Sequence, residues 1–208
     1  MHLPLPLILA SRSPRRLALM QQIGLDVQVR PCHVPEIVDP AVSPDRNAEL
    51  LAVQKARCAA AGIDAGIVLG ADTIVVIDGQ MLGKPADHDD AVRMLRMLSG
   101  RTHTVFTGFA LLRCPDGKLV SGVERTQVTF RELPKGEVEE YVRGGSPLDK
   151  AGAYGIQDDY GAVFVTRIEG CYYNVVGLPL ARVYMALHDG FEIPSVLIET
   201  GITTTPRP

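Results

Sequence analysis

The stretch Leu7-Ile8-Leu9-Ala10-Ser11-Arg12-Ser13-Pro14-Arg15-Arg16 changes within a few residues from an apolar run to the start of a helix. Ser13 is a favoured N-cap residue and Pro14 suits the first helical position. The sequence therefore predicts a buried strand, a tight turn and a helix that runs to Gly24. Arg15 and Arg16 fall in the first turn of that helix.

The two arginines stand where a helix is already positive, because its first N–H groups are unpaired and its dipole points there. We therefore expect a negative partner for them. A helix start that follows a strand and a tight turn is a common anion site, and the hydroxyls of Ser11 and Ser13 with two guanidiniums suit a phosphate better than a carboxylate. The alternative is that Arg15 and Arg16 both extend into water.

Length and charge limit the possible classes of protein. The chain has 208 residues and a formal net charge of −3. Its length fits one domain over residues 1–190, with two lobes around a cleft, and a tail at residues 191–208. A negative chain has no general attraction for nucleic acid, so small anions are the expected ligands. The apolar start is short, contains two prolines and lacks a basic leader, so neither a signal peptide nor a membrane span is expected.

The cysteines show no pattern that is typical of a metal site. They lie far apart along the chain, at Cys32, Cys58, Cys114 and Cys171. We expect four reduced thiols and a cytoplasmic protein. Whether the chain forms a homodimer is left open by the sequence.

The order of elements predicts an α/β fold with a mixed, partly antiparallel central sheet and flanking helices. After the first strand and helix, the pattern predicts strands at residues 27–30, 67–77, 80–83, 105–112, 119–130, 163–168 and 174–176. Further helices are expected at residues 44–62, 87–98, 134–142 and 179–187. Residues 31–44 and 144–155 are predicted to be loops.

Lys55 departs from the pattern of its helix, because it falls on the stripe of small and apolar residues. A lone lysine in such a place more often extends its ammonium to water. The alternative is that the ammonium reaches a cleft lined by the helix.

Asp72 and Lys84 lie on the two arms of a predicted hairpin whose turn is Asp78-Gly79. A two-residue turn places Thr73 opposite Lys84, whereas a loop one residue longer places Lys84 on the face of Asp72. Either register brings an acid and a base together at the open end of the hairpin.

Taken together, four cations and two acids suit a metal-bound polyphosphate. The cations are Arg15, Arg16, Lys55 and Lys84, and the acids are Glu36 and Asp72. Carboxylates can hold Mg²⁺ while cations take the remaining phosphate oxygens, and one carboxylate can orient water for attack on phosphorus. The chain lacks a P-loop, a kinase signature and a nucleophile elbow, which argues against a general nucleotide switch.

Motifs in this order resemble the Maf family of nucleoside triphosphate pyrophosphatases. They are residues 11–16 (SRSPRR), 70–73 (GADT), 83–85 (GKP), 99–103 (SGRTH), 107–108 (TG), 149–157 (DKAGAYGIQ) and 175–180 (VVGLPL). The resemblance covers about residues 7–187. It implies an elongated α/β fold with a central cleft, similar to that of inosine triphosphate pyrophosphatases, and cleavage of a nucleoside triphosphate into monophosphate and pyrophosphate with a divalent metal, Mg²⁺ or Mn²⁺.

The resemblance also assigns roles to residues. Asp72 matches the family's general base, while Arg15, Thr73 and Gln157 match positions that separate its substrate branches. The run around Gln157 is similar to the branch that acts on dTTP and UTP. A glutamine amide can pair with O4 and N3–H of uracil or thymine, although a flipped amide also satisfies cytosine.

The resulting site has three groups of residues. Asp72 and Lys84 are the expected catalytic residues, Glu36 and Asp72 the expected metal ligands, and the substrate is expected to contact Ser11, Ser13, Arg15, Arg16, Lys55, Thr73 and Gln157.

The chain departs from the family pattern at two places. Asp158-Asp159 follows Gln157 where many relatives have glycine, and Arg12 replaces a small residue. We expect the Arg12 side chain to point outward. Two alternatives stay open: a nucleotide-binding regulator of septum formation, which the family's history suggests, and a Maf-like enzyme for another triphosphate such as 7-methyl-GTP.

Overall fold

The protein is an α/β fold built on one mixed, seven-stranded sheet. The computed structural model describes residues 3–157 and 159–191. The strands are β1 (Leu7–Leu9), β2 (Val27–Val29), β3 (Gly66–Ile77), β4 (Gln80–Leu82), β5 (Thr102–Cys114), β6 (Leu119–Phe130) and β7 (Val165–Glu169). The helices are α1 (Pro14–Gln22), α2 (Pro44–Ala60), α3 (His88–Leu98), α4 (Lys135–Arg143), α5 (Tyr172–Val176) and α6 (Leu180–Phe191). The predicted fold class is confirmed.

One edge of strand β3 is shared by two short strands. Strand β5 pairs with β3 from Gly66 to Val76 and therefore takes up its whole other edge. On the shared edge β1 runs parallel to residues 67–69, and β4 runs antiparallel to residues 75–77. Residues 70–74 lie between them, and no strand within the described part of the chain pairs with them on that side. Asp72 and Thr73 are in this interval, so the topology opens the sheet where an acid was predicted.

Helix α2 packs closely on the face of the sheet that carries Asp72. Successive residues of a strand point to opposite faces, so Val68 and Asp72 share one face and Thr73 points to the other. The helix contributes Ala52, Ala56 and Ala59 to a cluster with Val68. A Cβ placed on Gly70 would overlap the carbonyl oxygen of Ala52. Glycine is thus needed in β3 because the helix backbone lies against the strand.

Gly70→Ala should reduce the free energy of unfolding by about 1–3 kcal/mol, the usual cost of overpacking a core. The helix must move away from β3 to accept the methyl group. Gly136→Ala is the matched control, because a Cβ there meets nothing within 4 Å and the residue lies in helix α4. It should be neutral or slightly stabilising. Urea unfolding of both variants measures the difference, and equal stabilities would contradict the close approach.

Of the two hairpin registers that the sequence leaves open, the structure has the one with a two-residue turn. Val75 pairs with Leu82 and Ile77 with Gln80 around the two-residue turn. Asp78 and Gly79 both have positive φ, 49° and 76°, as a tight type I′ turn requires.

The predicted strand at residues 174–176 is wrong, because these residues form the end of helix α5. Their two valines favour strands, but Asn174 is fully buried and its amide donates to Val105 O and Thr126 Oγ1. These tertiary contacts outweigh the local preference. Gly177, with φ 124°, ends the helix.

The expectation of four reduced thiols is wrong for one pair. Cys32 and Cys58 form a disulfide with their Cα atoms 6.0 Å apart, whereas Cys114 and Cys171 are free. Cys32 follows strand β2 and Cys58 lies in α2, 26 residues later. Such a pair becomes visible only when the loop is folded onto the helix.

Two further expectations concern the ends of the chain. None of the helices within residues 3–157 and 159–191 is long and apolar enough to cross a membrane. The predicted tail lies outside the described residues, except Phe191, which ends helix α6.

Candidate active site

A cleft of about 630 Å³ opens at the unpaired interval of β3. Its walls are the start of α1, the loop that follows β2, helix α2, the end of the β3–β4 hairpin, the segment around residues 149–157 and the end of α5. A volume of this size is in the range of small-molecule sites. Every residue of the predicted site lines this cleft: Ser11, Ser13, Arg15, Arg16, Glu36, Lys55, Asp72, Thr73, Lys84 and Gln157.

Four side chains of alternating charge form a chain across the cleft. Lys55 Nζ donates to Asp72 Oδ1 at 2.5 Å and to Glu36 Oε1 at 2.6 Å. Lys84 Nζ donates to the second oxygen of Glu36 at 2.8 Å. The side chains of Lys55 and Asp72 are only 10% and 9% exposed. Of the two alternatives for Lys55, its ammonium therefore reaches the cleft and does not extend to water.

Glu36 stays ionised under any ordinary condition. Partial burial opposes its charge, but hydrogen bonds from Lys55 and Lys84 outweigh this and lower the pKa of Glu36 to about 2. Two carboxylates are thus held on one ammonium, and both oxygens of Glu36 are engaged. The hairpin contributes Lys84 to this arrangement because its long side chain reaches Glu36 from beyond the end of strand β4.

Arg15 has a carboxylate as its partner. Its Nη1 donates to Asp149 Oδ2 at 2.8 Å, and its Nη2 donates to the backbone oxygen of Asp149 at 3.3 Å. Lys150, with a side chain only 7% exposed, donates to the other carboxylate oxygen at 2.9 Å. Partial burial opposes the charge of Asp149, yet the two cations hold its pKa below the usual value. Asp149 therefore supplies the negative charge that the helix start required.

The side chain of Arg16 is held by hydrogen bonds to two other segments of the protein. Its Nε donates to Gly177 O at 2.8 Å and its Nη2 to Thr73 Oγ1 at 3.1 Å. The hydroxyls of Thr73 and Thr107 are 3.0 Å apart, and Thr107 donates to Asn174 O at 2.9 Å. Burial lowers the pKa of Arg16, against the attraction of Asp72 and Glu36, and the guanidinium remains charged. This network joins α1, β3, β5 and α5, so neither arginine simply extends into water.

The turn before α1 is held by its serines. Helix α1 begins at Pro14 as predicted, but the Ser13 side chain makes no capping bond. Instead the N–H of Ser13 donates to Ser11 Oγ at 3.1 Å, which shapes the turn. Ser11 is buried, whereas Arg12 is exposed and is one of the residues that line the cleft.

Gln157 lines the cleft at the end of the segment 150–157 and is half-buried. Gly152 N–H donates to Gly83 O at 3.0 Å, which fastens this segment beside Lys84. Asp158, one of the two departures from the family pattern, lies outside the described residues.

Comparison with known proteins supports the family resemblance that the sequence motifs indicate. A family model for Maf-like protein matches residues 6–190. The chain belongs to the Maf family. Three relatives of this Maf protein are named dTTP/UTP pyrophosphatase. The relative from Moorella thermoacetica is 51% identical over 85% of this chain and 91% of its own. That from Koribacter versatilis is 49% identical over 88% and 93%, and that from Chlorobium phaeovibrioides 47% over 88% and 95%.

Sequence reasoning missed two charged residues of this Maf protein's site, Asp149 and Lys150. Asp149 is 134 residues from Arg15, and only the fold brings them together. The only signal was that a helix start with two arginines and no acid needs a negative partner; we expected a phosphate there, and within the protein Arg15 has the carboxylate of Asp149.

The described residues contain no cluster of three His, Cys, Asp or Glu side chains that would hold a metal ion by themselves. Glu36 and Asp72 nevertheless meet at one ammonium. One or two carboxylates, with substrate phosphates and water, are what Mg²⁺ usually takes. The donor set of this Maf protein therefore fits a metal that arrives with a polyphosphate.

Proposed function

We propose that this Maf protein hydrolyses dTTP and UTP to the monophosphate and pyrophosphate, and so removes such nucleotides from the cellular pool. The observation that carries the proposal is the chain of charges from Lys84 through Glu36 and Lys55 to Asp72, opposite the arginine-bearing helix start. The shared name of relatives at 47–51% identity supports the substrate class. A binding protein has no need for a buried acid beside a phosphate site.

The reaction joins water to the α-phosphorus and breaks its bond to the bridging oxygen of the β-phosphate. Asp72 takes the proton of the attacking water, since Lys55 binds Oδ1 and the other oxygen can serve as base. Arg15 and Lys84 stabilise the charge that builds up on the leaving pyrophosphate. Arg15 must then exchange Asp149 for a phosphate oxygen, while Arg16 keeps Thr73 in place.

Gln157 reads the base in this proposal. Its amide offers one donor and one acceptor, which match N3–H and O4 of uracil and thymine. A site built on hydrogen bonds rejects a wrong base because buried polar groups are left unpaired. Thr73 and the segment 150–157 shape a pocket suited to a single ring.

A divalent metal, Mg²⁺ or Mn²⁺, is part of the proposal. Glu36 and Asp72 would hold it, and it would neutralise the phosphate oxygens. Glu36→Gln should raise the Mg²⁺ concentration for half-maximal activity by on the order of tenfold, because a neutral amide is a weaker ligand. Glu140→Gln, at an exposed position of α4, is the control. A titration curve identical to that of the wild type would remove Glu36 from the metal site.

The decisive experiment incubates the purified protein with dTTP, UTP, CTP, GTP and 7-methyl-GTP, each with Mg²⁺ or Mn²⁺. Pyrophosphate and orthophosphate are separated at early times. We expect pyrophosphate as the first product and the highest kcat/KM for dTTP and UTP. Orthophosphate as the first product would exclude cleavage between the α- and β-phosphates. Equal kcat/KM for UTP, CTP and GTP would contradict the proposed base specificity but not the cleavage into monophosphate and pyrophosphate.

The setting of the reaction is also a proposal. Nucleoside triphosphate pools favour the cytoplasm, and the formal net charge of −3 argues against nucleic acid as a partner. The nucleotide is then the main partner, and sedimentation of the purified protein would decide whether it acts as a homodimer.

A further inference from the structure

A buried histidine–tyrosine pair lies behind the wall that carries Gln157. His103 belongs to strand β5 and Tyr154 to the segment 150–157, and the two residues are 2% and 5% exposed. His103 Nε2 and the Tyr154 hydroxyl are 2.8 Å apart, a hydrogen bond between side chains 51 residues apart in sequence. Both rings pack edge-on against Phe130, with centroid distances of 4.9 and 4.7 Å. The pair is thus enclosed on the core side of the cleft.

The segment that ends at Gln157 has little regular structure of its own. Gly152 and Ala153 have positive φ values of 69° and 61°, which regular helices and strands do not use. One backbone bond, from Gly152 N–H to Gly83 O, fastens its first half. A Cβ on Gly152 would press on the side chain of Val75, so this half lies tightly against β3. Tyr154 and Ile156 are the buried side chains that anchor the second half in the core, and Tyr154 also hydrogen-bonds to strand β5.

We propose that His103 and Tyr154 are positioning residues that set the place of Gln157 and thereby the choice of base. This inference rests on the proposed function. Tyr154 lines the cleft, yet its hydroxyl is held inside the core by strand β5. Gln157 follows three residues later. A wall anchored in the core limits how the glutamine amide can turn toward the base, which discrimination between uracil and cytosine requires because a flipped amide also satisfies cytosine.

The His103–Tyr154 pair fixes the wall that carries Gln157 and transfers no proton. Burial lowers the pKa of His103 to about 3 and raises that of Tyr154 above its ordinary value, so both stay neutral near neutral pH. A Tyr154 hydroxyl that faced the cleft could bind the base directly. Because this hydroxyl is hydrogen-bonded to His103 in the core, it acts on the base only through the position of Gln157.

The test compares two tyrosine-to-phenylalanine variants from the same core. Tyr154→Phe removes only the hydroxyl that meets His103. Tyr141→Phe is the matched control, since Tyr141 is also 5% exposed and packs its ring against Phe164, but does not line the cleft. We expect Tyr154→Phe to lower the UTP-to-CTP ratio of kcat/KM by roughly three- to tenfold, the scale of one neutral hydrogen bond. The Tyr141→Phe ratio should equal that of the wild type.

His103→Leu approaches the same bond from strand β5, so the test does not depend on the folding of one variant. The double variant His103→Leu/Tyr154→Phe should lose no more selectivity than either single variant, because both remove one interaction. The Mg²⁺ titration and the pyrophosphate product should stay as in the wild type, which a general loss of structure would not allow.

The outcomes separate this inference from the proposed function. Unchanged selectivity in both single variants, with a wild type that prefers UTP, would overturn the positioning role alone. An equal loss in Tyr141→Phe would overturn it as well, since core damage would then be the cause. A wild type without pyrimidine preference would overturn the positioning role and the proposed base specificity, but not the cleavage into monophosphate and pyrophosphate.

Discussion

Replacing Asp72 with asparagine should lower turnover of UTP by roughly 10²–10⁴-fold, the usual contribution of a general base. The amide cannot take a proton from water, while its shape and volume stay nearly the same. Lys55 keeps Glu36 as a partner at 2.6 Å, so the fold should persist. The measurement is kcat at saturating UTP and Mg²⁺, together with thermal unfolding.

Asp26→Asn is the control for this substitution, because Asp26 is an exposed aspartate that does not line the cleft. It should retain full turnover. Binding of a non-hydrolysable UTP analogue separates chemistry from affinity, and Asp72→Asn should still bind it. Turnover close to that of the wild type would remove Asp72 from the role of base.

The second large effect is expected for Lys55→Met, which removes the ammonium between two carboxylates and preserves much of its apolar volume. Breaking a buried ion pair on one side costs about 3–5 kcal/mol, because the remaining charge is left without compensation. Asp72 is that charge, since Glu36 still has Lys84. Turnover should fall as well, because the base is no longer held in place.

The double variant Lys55→Met/Asp72→Asn decides whether the stability lost in Lys55→Met is due to the unpaired charge of Asp72. It should unfold at a higher urea concentration than Lys55→Met alone, since no buried charge is left. Wild-type stability and activity of Lys55→Met would mean that the ammonium contributes nothing at this site.

Local chemistry made much of the fold predictable. The turn residues Asp78 and Gly79 marked the hairpin but left two registers open, and a run rich in β-branched residues marked β3. Pro14 marked the start of α1. Residue types with rare placements, such as a lysine on an apolar stripe, indicated the site before any geometry was known.

What could not be predicted depends on distant parts of the chain. The partner of Arg15, the disulfide of Cys32 and the bond of His103 to Tyr154 all join segments that only the folded sheet brings together. The short helix that contains Asn174 was misread for the same reason, since contacts with β5 and β6 decide its conformation. Spacing along the sequence carries no record of such contacts.

The interval of β3 between its partners β1 and β4 sets a fixed distance along the cleft. Strands rise about 3.3 Å per residue, so the six steps from Leu69 to Val75 separate the two walls by roughly 20 Å of extended backbone. Pairing with β5 from Gly66 to Val76 keeps that backbone extended and its register fixed. Removing one residue would turn Asp72 to the opposite face, and removing two would shorten the span by roughly 7 Å. A change in the size of the nucleotide must therefore be met by the side chains and loops of the walls.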